Sequence, residues 1–93
     1  MLANFKIAET DNFQQKISSR DFKALYKKIS DYIYPQLREN PFFGSNIKKL
    51  KGKWSDIYRY RVGYYRIFYT IDSERRILFV FNIDKRKDAY RKK

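Results

Sequence analysis

At 93 residues the chain suits one domain, spanning 1–93, with a thin core, since a fold of this size hides roughly 60–70% of its unfolded surface. The absence of cysteine excludes a disulfide framework and a cysteine-rich zinc site, and no apolar run approaches the ~20 residues of a membrane span. A net charge of +12, from 22 Lys and Arg against 10 Asp and Glu, points to a polyanionic partner, and nucleic acid is the commonest polyanion in a cytoplasm.

In chain order, Phe5 and Ile7 alternate with Lys6 and Ala8, which predicts a short strand near Asn4–Ala8. Thr10 or Asp11 can then cap a short helix in which Phe13 and Ile17 share a face. Phe22, Leu25, Tyr26, Ile29, Ile33 and Leu37 predict a longer amphipathic helix that ends at Asn40-Pro41. Pro35 lies inside that pattern, so a kink or break is expected near Tyr32–Tyr34. The start "MLANFKIAETD" lacks the basic-then-apolar order of a secretory signal, and a cytoplasmic location is expected.

The stretch "NPFFGSNIKKLKGKW" reads as a connection with a short strand around Ile47–Leu50. Three strands follow, Ile57–Val62, Tyr65–Asp72 and Arg76–Ile83. The last is apolar on both faces, with Ile77, Phe79 and Phe81 on one and Leu78 and Val80 on the other, so it is expected in mid-sheet, covered on both sides. The ending "DKRKDAYRKK" is a polar tail that could start a helix at Asp84.

Charge is unevenly placed, with 7 basic and 5 acidic residues in 1–44 but 15 and 5 in 45–93. Its densest part is "YRYRVGYYR", Tyr58 to Arg66. Gly63 suits the first position of a two-residue II′ turn, which pairs Val62 with Tyr65, Tyr60 with Ile67 and Tyr58 with Tyr69 on the apolar side. Arg61 then stands across from Arg66, with Arg59 opposite Phe68. Opposed like charges cost on the order of 0.2–1 kcal/mol, so an anion is expected between them, and Arg66→Ala should relieve repulsion. Arginine fits phosphate because its planar fork binds two oxygens at once. Arg86 and Tyr90, four apart, share a face if the tail is helical. Cations with an exposed aromatic ring are the equipment of a single-stranded RNA or DNA site.

With these residues in place, the blocks "NPFFGSNIKKLKG", "YRYRVGYYRIFYTID" and "DKRKDAY" resemble a RelE/ParE-superfamily toxin, on the RelE side, over nearly the whole chain. The resemblance implies a compact α+β domain like the microbial ribonucleases, a twisted antiparallel sheet with two N-terminal helices packed on one face. It implies a toxin of a type II toxin–antitoxin system: a ribosome-dependent endoribonuclease, or mRNA interferase, that cuts mRNA in the decoding site and is neutralised by a small acidic antitoxin. Residue by residue, the family's catalytic cations on the strand before the turn match Arg59 and Arg61. Its later site residues match Arg66, Arg86 and Tyr90. Many relatives have an acidic residue where this chain has Tyr64, and histidine where it has Lys85.

RNA cleavage by the neighbouring 2′-OH needs a proton acceptor, a proton donor and positive charge around the phosphorane. There is no histidine, and Asp56, Asp72, Asp84 and Asp88 read as turn and capping residues. Lys85, Lys49 and Lys51 are the candidate bases, since neighbouring cations lower a lysine pKa. Lys48, Lys49, Lys51 and Lys53, with Lys85 and Lys87, are the candidate contacts to RNA or ribosome. Trp54 reads as a core edge or a stacking ring. No metal or cofactor is expected. A ParE-like inhibitor of DNA gyrase stays open as an alternative, because one fold hosts both activities of the superfamily, and a non-catalytic RNA-binding module stays open because histidine is missing.

Overall fold

Gly63, at φ +60°, reverses the chain between two strands, and Tyr64 after it is outside the left-handed region. Positive φ at the first central position alone defines the II′ turn, whose twist matches that of the flanking strands. The resulting register is the one the turn demands, with Val62 opposite Tyr65, Arg61 opposite Arg66 and Tyr58 opposite Tyr69. The structure is a computed structural model that describes residues 4–54 and 56–85.

Five strands form one sheet: β1 (Lys6–Glu9), β2 (Ile47–Lys49), β3 (Tyr58–Val62), β4 (Tyr65–Asp72) and β5 (Ile77–Lys85), in the spatial order β1-β5-β4-β3-β2. β2 to β5 pair antiparallel as expected, while β1 adds to β5 in parallel, so the sheet is mixed. β5 carries a bulge: Tyr69 faces Val80 but Phe68 faces Asn82, leaving Phe81 as the extra residue. The strand also runs on through Asp84 to Lys85, where the start of a helix was expected.

Thr10 caps α1 (Asp11–Ile17), its hydroxyl oxygen accepting from the Phe13 amide at 3.2 Å. A 3₁₀ turn (Arg20–Phe22) leads into α2 (Lys23–Lys28), a π-helical segment (Ile29–Ile33) and α3 (Tyr34–Glu39). Near Tyr32–Tyr34, where a kink or break was expected, the helix does not stop but continues through a wider π turn, and Pro35 lies in the first turn of α3, where a missing amide donor costs least. The helices bury Phe13, Ile17, Ile29, Ile33 and Leu37 against Tyr60, Ile67, Tyr69, Leu78, Val80 and Ile83 of the sheet.

That core uses one face of the sheet. β5 is interior, but it is not covered on both sides: Phe79 is exposed and Phe81 half-buried on a face that carries no helix among the described residues. Among the described residues, α1, α2, the π segment and α3 all precede β2, and apart from a 3₁₀ turn at Gly52–Trp54 no helix follows it, so the second apolar face of β5 is left without a helical layer. No helix among the described residues is long and apolar enough to cross a membrane.

Candidate nucleic-acid interface

Strand pairing lays the basic residues out in two rows on this second face. The first runs Lys48, Arg59, Phe68, Asn82 across β2, β3, β4 and β5. The second runs Arg61, Arg66, Asp84 across β3, β4 and β5. Arg59, Arg61 and Arg66 thus share a surface, as strand alternation from the Gly63 turn requires.

Asp84 is no cap or turn residue. It stands in β5 opposite Arg66 and takes the guanidinium in a two-pronged ion pair, Nε to Oδ1 at 2.9 Å and Nη2 to Oδ2 at 3.2 Å. Asp84 stands on the far side of Arg66 from Arg61, so it does not lie between the opposed arginines, but it fixes the direction of the Arg66 fork. Arg66 also lies over the Phe68 ring, 5.6 Å from its centroid. Phe68 in turn stands 6.5 Å from Phe81, centroid to centroid. With Leu50, Ile57, Asn82 and Asp84 these two rings line a depression of about 250 Å³. Arg59, half-buried in the adjoining row, has its Nε shielded from solvent. Asp72, by contrast, is the turn residue its position implied, accepting from the Arg75 amide at 3.1 Å.

The lysines divide. Lys48 is on the arginine face, in line with Arg59. Lys49 pairs with Tyr58 on the helix side, its Nζ 5.9 Å from the centre of the Tyr58 ring, and Lys85 pairs with Tyr65, whose ring meets Phe22 of the helical layer. Two of the three lysines considered as bases thus stand on the wrong face of the sheet for the arginines, because a strand reverses direction at every residue. Lys51 and Lys53 are exposed in the connection after β2. Arg86, Lys87, Asp88, Tyr90 and the side chain of Trp54 lie outside the described residues.

Lys16 was missed by sequence reasoning. It comes from α1, and its Nζ donates to Asn82 Oδ1 at 2.6 Å, which brings a further cation to the rim of the depression. Only its i, i+4 spacing with Asn12, which donates to the Phe81 carbonyl at 2.9 Å, hinted at a shared face. No group of three His, Cys, Asp or Glu that could hold a metal occurs among the described residues.

A second cavity, of about 390 Å³, lies between β1 and the helices, lined by Glu9, Tyr26, Tyr34 and Arg38 among others. Its polar groups are engaged with one another. The Tyr26 and Tyr34 hydroxyls both donate to Glu9 Oε2, at 2.8 and 2.7 Å. Burial, and then the Glu9 carboxylate, push both phenols above the usual tyrosine range.

The fold and this face can be set beside known proteins. The toxin of the RelBE2 toxin–antitoxin complex from Mycobacterium tuberculosis is 19% identical, with a TM-score of 0.70 over 89% of this chain and 99% of that one. A YoeB/ParE toxin from Agrobacterium tumefaciens is 20% identical, with a TM-score of 0.71 over 87% and 98%. The isolated RelE toxin of E. coli is 22% identical, with a TM-score of 0.61 over 87% and 83%. At these identities the likeness is one of fold. A comparison with curated protein sequences finds no match. A family model, described as the ParE toxin of the type II toxin–antitoxin system parDE, matches residues 15–90. Since that match takes in the helical layer, the arginine face and the beginning of the tail, the chain belongs to the ParE toxin family and is a type II toxin of the RelE/ParE superfamily.

Proposed function

We propose that this toxin is a ribosome-dependent endoribonuclease that cuts mRNA in the decoding site and so stops translation. The observation that carries the reading is the grid of Lys48, Arg59, Arg61 and Arg66 on one sheet face beside the half-buried rings of Phe68 and Phe81. In the reaction the 2′-oxygen attacks the adjacent phosphorus, its proton leaves to a base, and the 5′-oxygen departs with a proton. A 2′,3′-cyclic phosphate and a 5′-hydroxyl result. Arg59 and Arg61 bind the phosphate oxygens, and Arg66, oriented by Asp84, meets the charge that grows on the phosphorane. Arg86 adds to that charge and Tyr90 stacks on a base, roles that rest on the resemblance of "DKRKDAY" to the superfamily ending. Lys48, Lys51, Lys53 and Lys87 hold RNA or ribosome, as do Lys49 and Lys85 from the helix side.

With no histidine the chain is a weak acid–base catalyst, so the reaction leans on positioning. An mRNA bent in line by the ribosome supplies up to ~7–11 kcal/mol in favourable intramolecular cases. The cellular place is the cytoplasm, and the partner that silences the toxin is an acidic antitoxin. The second reading, a ParE-like gyrase inhibitor that cleaves nothing, draws on the family model that matches the chain. Mapping mRNA 5′ ends after incubation with programmed ribosomes separates the two: new ends in the decoding site support the nuclease. Intact mRNA alongside blocked DNA supercoiling supports the gyrase inhibitor.

A further inference from the structure

The depression between Phe68 and Phe81 is lined by apolar atoms of Leu50 and Ile57 on one side and by Asn82 and Asp84 on the other. Neither ring is used by the helical core. Both point away from it by strand alternation, Phe68 from the core residues Ile67 and Tyr69 on β4 and Phe81 from the core residue Val80 on β5. An apolar hollow left on the surface of a small protein is a cost unless something fills it. Its surroundings say what fills it. Arg66 and Asp84 close one end, Lys48 and Arg59 lie in the row beside it, and Lys16 reaches Asn82 at another point of the rim. An apolar depression with Lys48, Arg59 and Lys16 nearby, and the Arg66–Asp84 pair at one end, is complementary to a nucleotide, whose base is a π-face and whose phosphate is an anion.

We propose that the depression lined by Phe68 and Phe81 takes one nucleobase, stacked on the exposed side of these rings, of a single-stranded RNA whose flanking phosphates lie on Arg59 and Arg66. This rests on the nuclease reading for its substrate, but the depression binds RNA whether or not the strand is cut. Base–aromatic stacking is worth roughly 1–3 kcal/mol, about 5- to 150-fold in affinity. The stacked base anchors the strand beside Arg66, so the scissile phosphate is the one adjacent to the anchored nucleotide.

The test is abasic scanning. Short single-stranded RNAs, each lacking one base at a successive position, are titrated at low salt against the wild type and against Phe81→Leu and Phe68→Leu. Leucine keeps apolar volume, so thermal melts should match the wild type. One abasic position should weaken wild-type binding about 5- to 150-fold and be silent in the leucine variants. A flat scan in the wild type, or leucine variants as sensitive to the abasic site as the wild type, overturns the base site. Cleavage on ribosomes separates this from the nuclease reading. Wild-type cutting with a flat scan rejects the base site alone, and abasic-sensitive binding without cutting keeps the base site and rejects the nuclease.

Discussion

At Glu9 one carboxylate oxygen accepts from two tyrosine hydroxyls, so a single side chain of β1 ties both ends of the π segment to the sheet edge. Removing the acceptor leaves the buried Tyr34 hydroxyl unpaired, and Glu9→Ala should cost about 2 kcal/mol in chemical denaturation. Tyr34→Phe, which removes the donor instead, should cost less. The same residues set an alkaline limit. Tyr26, Tyr34 and Tyr69 all have raised pKa values, chiefly through burial, so the folded state keeps protons that the unfolded chain releases near pH 10. Stability should be whole below about pH 10 and fall as the pH rises beyond it, with the tyrosinate absorbance of the buried Tyr34 and Tyr69 appearing only on unfolding. At Arg66 the ion pair with Asp84 alters what truncation does. The two side chains are 27% and 41% exposed, so solvent screens the pair and its loss should cost no more than about 1 kcal/mol. Arg66→Ala should therefore not raise stability, as opposed cations alone would have it. It should lower mRNA cleavage at least tenfold, about 1.4 kcal/mol in the transition state, and Asp84→Asn should lower cleavage while leaving the melting temperature nearly unchanged.

Among the elements, the helix from Lys23 to Glu39 has its apolar residues Leu25, Ile29, Ile33 and Leu37 at a constant spacing of four. At 3.6 residues per turn, that stripe would drift by about 40° at each step and leave the core before Leu37. The π segment offsets part of the drift, because its wider turn, from Ile29 to Ile33, holds more than four residues and so rotates the stripe back. It also brings Tyr26 and Tyr34 onto one carboxylate, although eight positions on a regular helix end about 80° out of phase. Deleting Asp31 should turn the segment into ordinary helix, rotate either Tyr26 or Leu37 out of place, and destabilise by several kcal/mol in thermal or urea melts. Gly63 offers the opposite case, a backbone requirement with no packing attached. A Cβ there meets nothing within 4 Å, so Gly63→Ala should cost only the left-handed penalty of roughly 1–2 kcal/mol. Gly63→Asn should cost less.

For the molecule as a whole, binding is governed by a charge of +12 whose excess lies in the second half of the chain. Single-stranded RNA loses about 0.7 in log–log salt slope for each phosphate neutralised, so contacts from Lys48, Arg59, Arg61 and Arg66 give a slope of roughly −2 to −3, the lower figure if Asp84 cancels Arg66. Filter binding of RNA across a salt series checks this, and Arg61→Ala should reduce the slope by about 0.7. The antitoxin should be an acidic, largely helical segment that crosses the arginine face and the tail, and its complex should weaken as salt rises. Protection of Arg59 and Arg61 from chemical modification in the complex is the expected result.

The sequence by itself determined the elements made by local rules: a helix cap at Thr10 or Asp11, the II′ turn at Gly63, the end of the helix at Asn40, and the face that Arg59, Arg61 and Arg66 share. Each depends on neighbours a few residues apart, where spacing is enough. The tertiary structure decided what depends on pairings distant in the chain. Strict alternation along β5 puts Asp84 and Asn82 on the helix side with Leu78 and Val80. The bulge at Phe81 adds one residue, so both emerge beside Arg66 and Phe68 instead. A bulge leaves no mark in hydrophobic alternation when its extra residue is itself apolar, and Phe81 is. The constant spacing of four in the long helix was visible, but Pro35 drew attention to a kink or break rather than to a wider turn. The place of β1, parallel beside β5, follows from where the helical layer carries the chain, and no property of Lys6–Glu9 alone contains it.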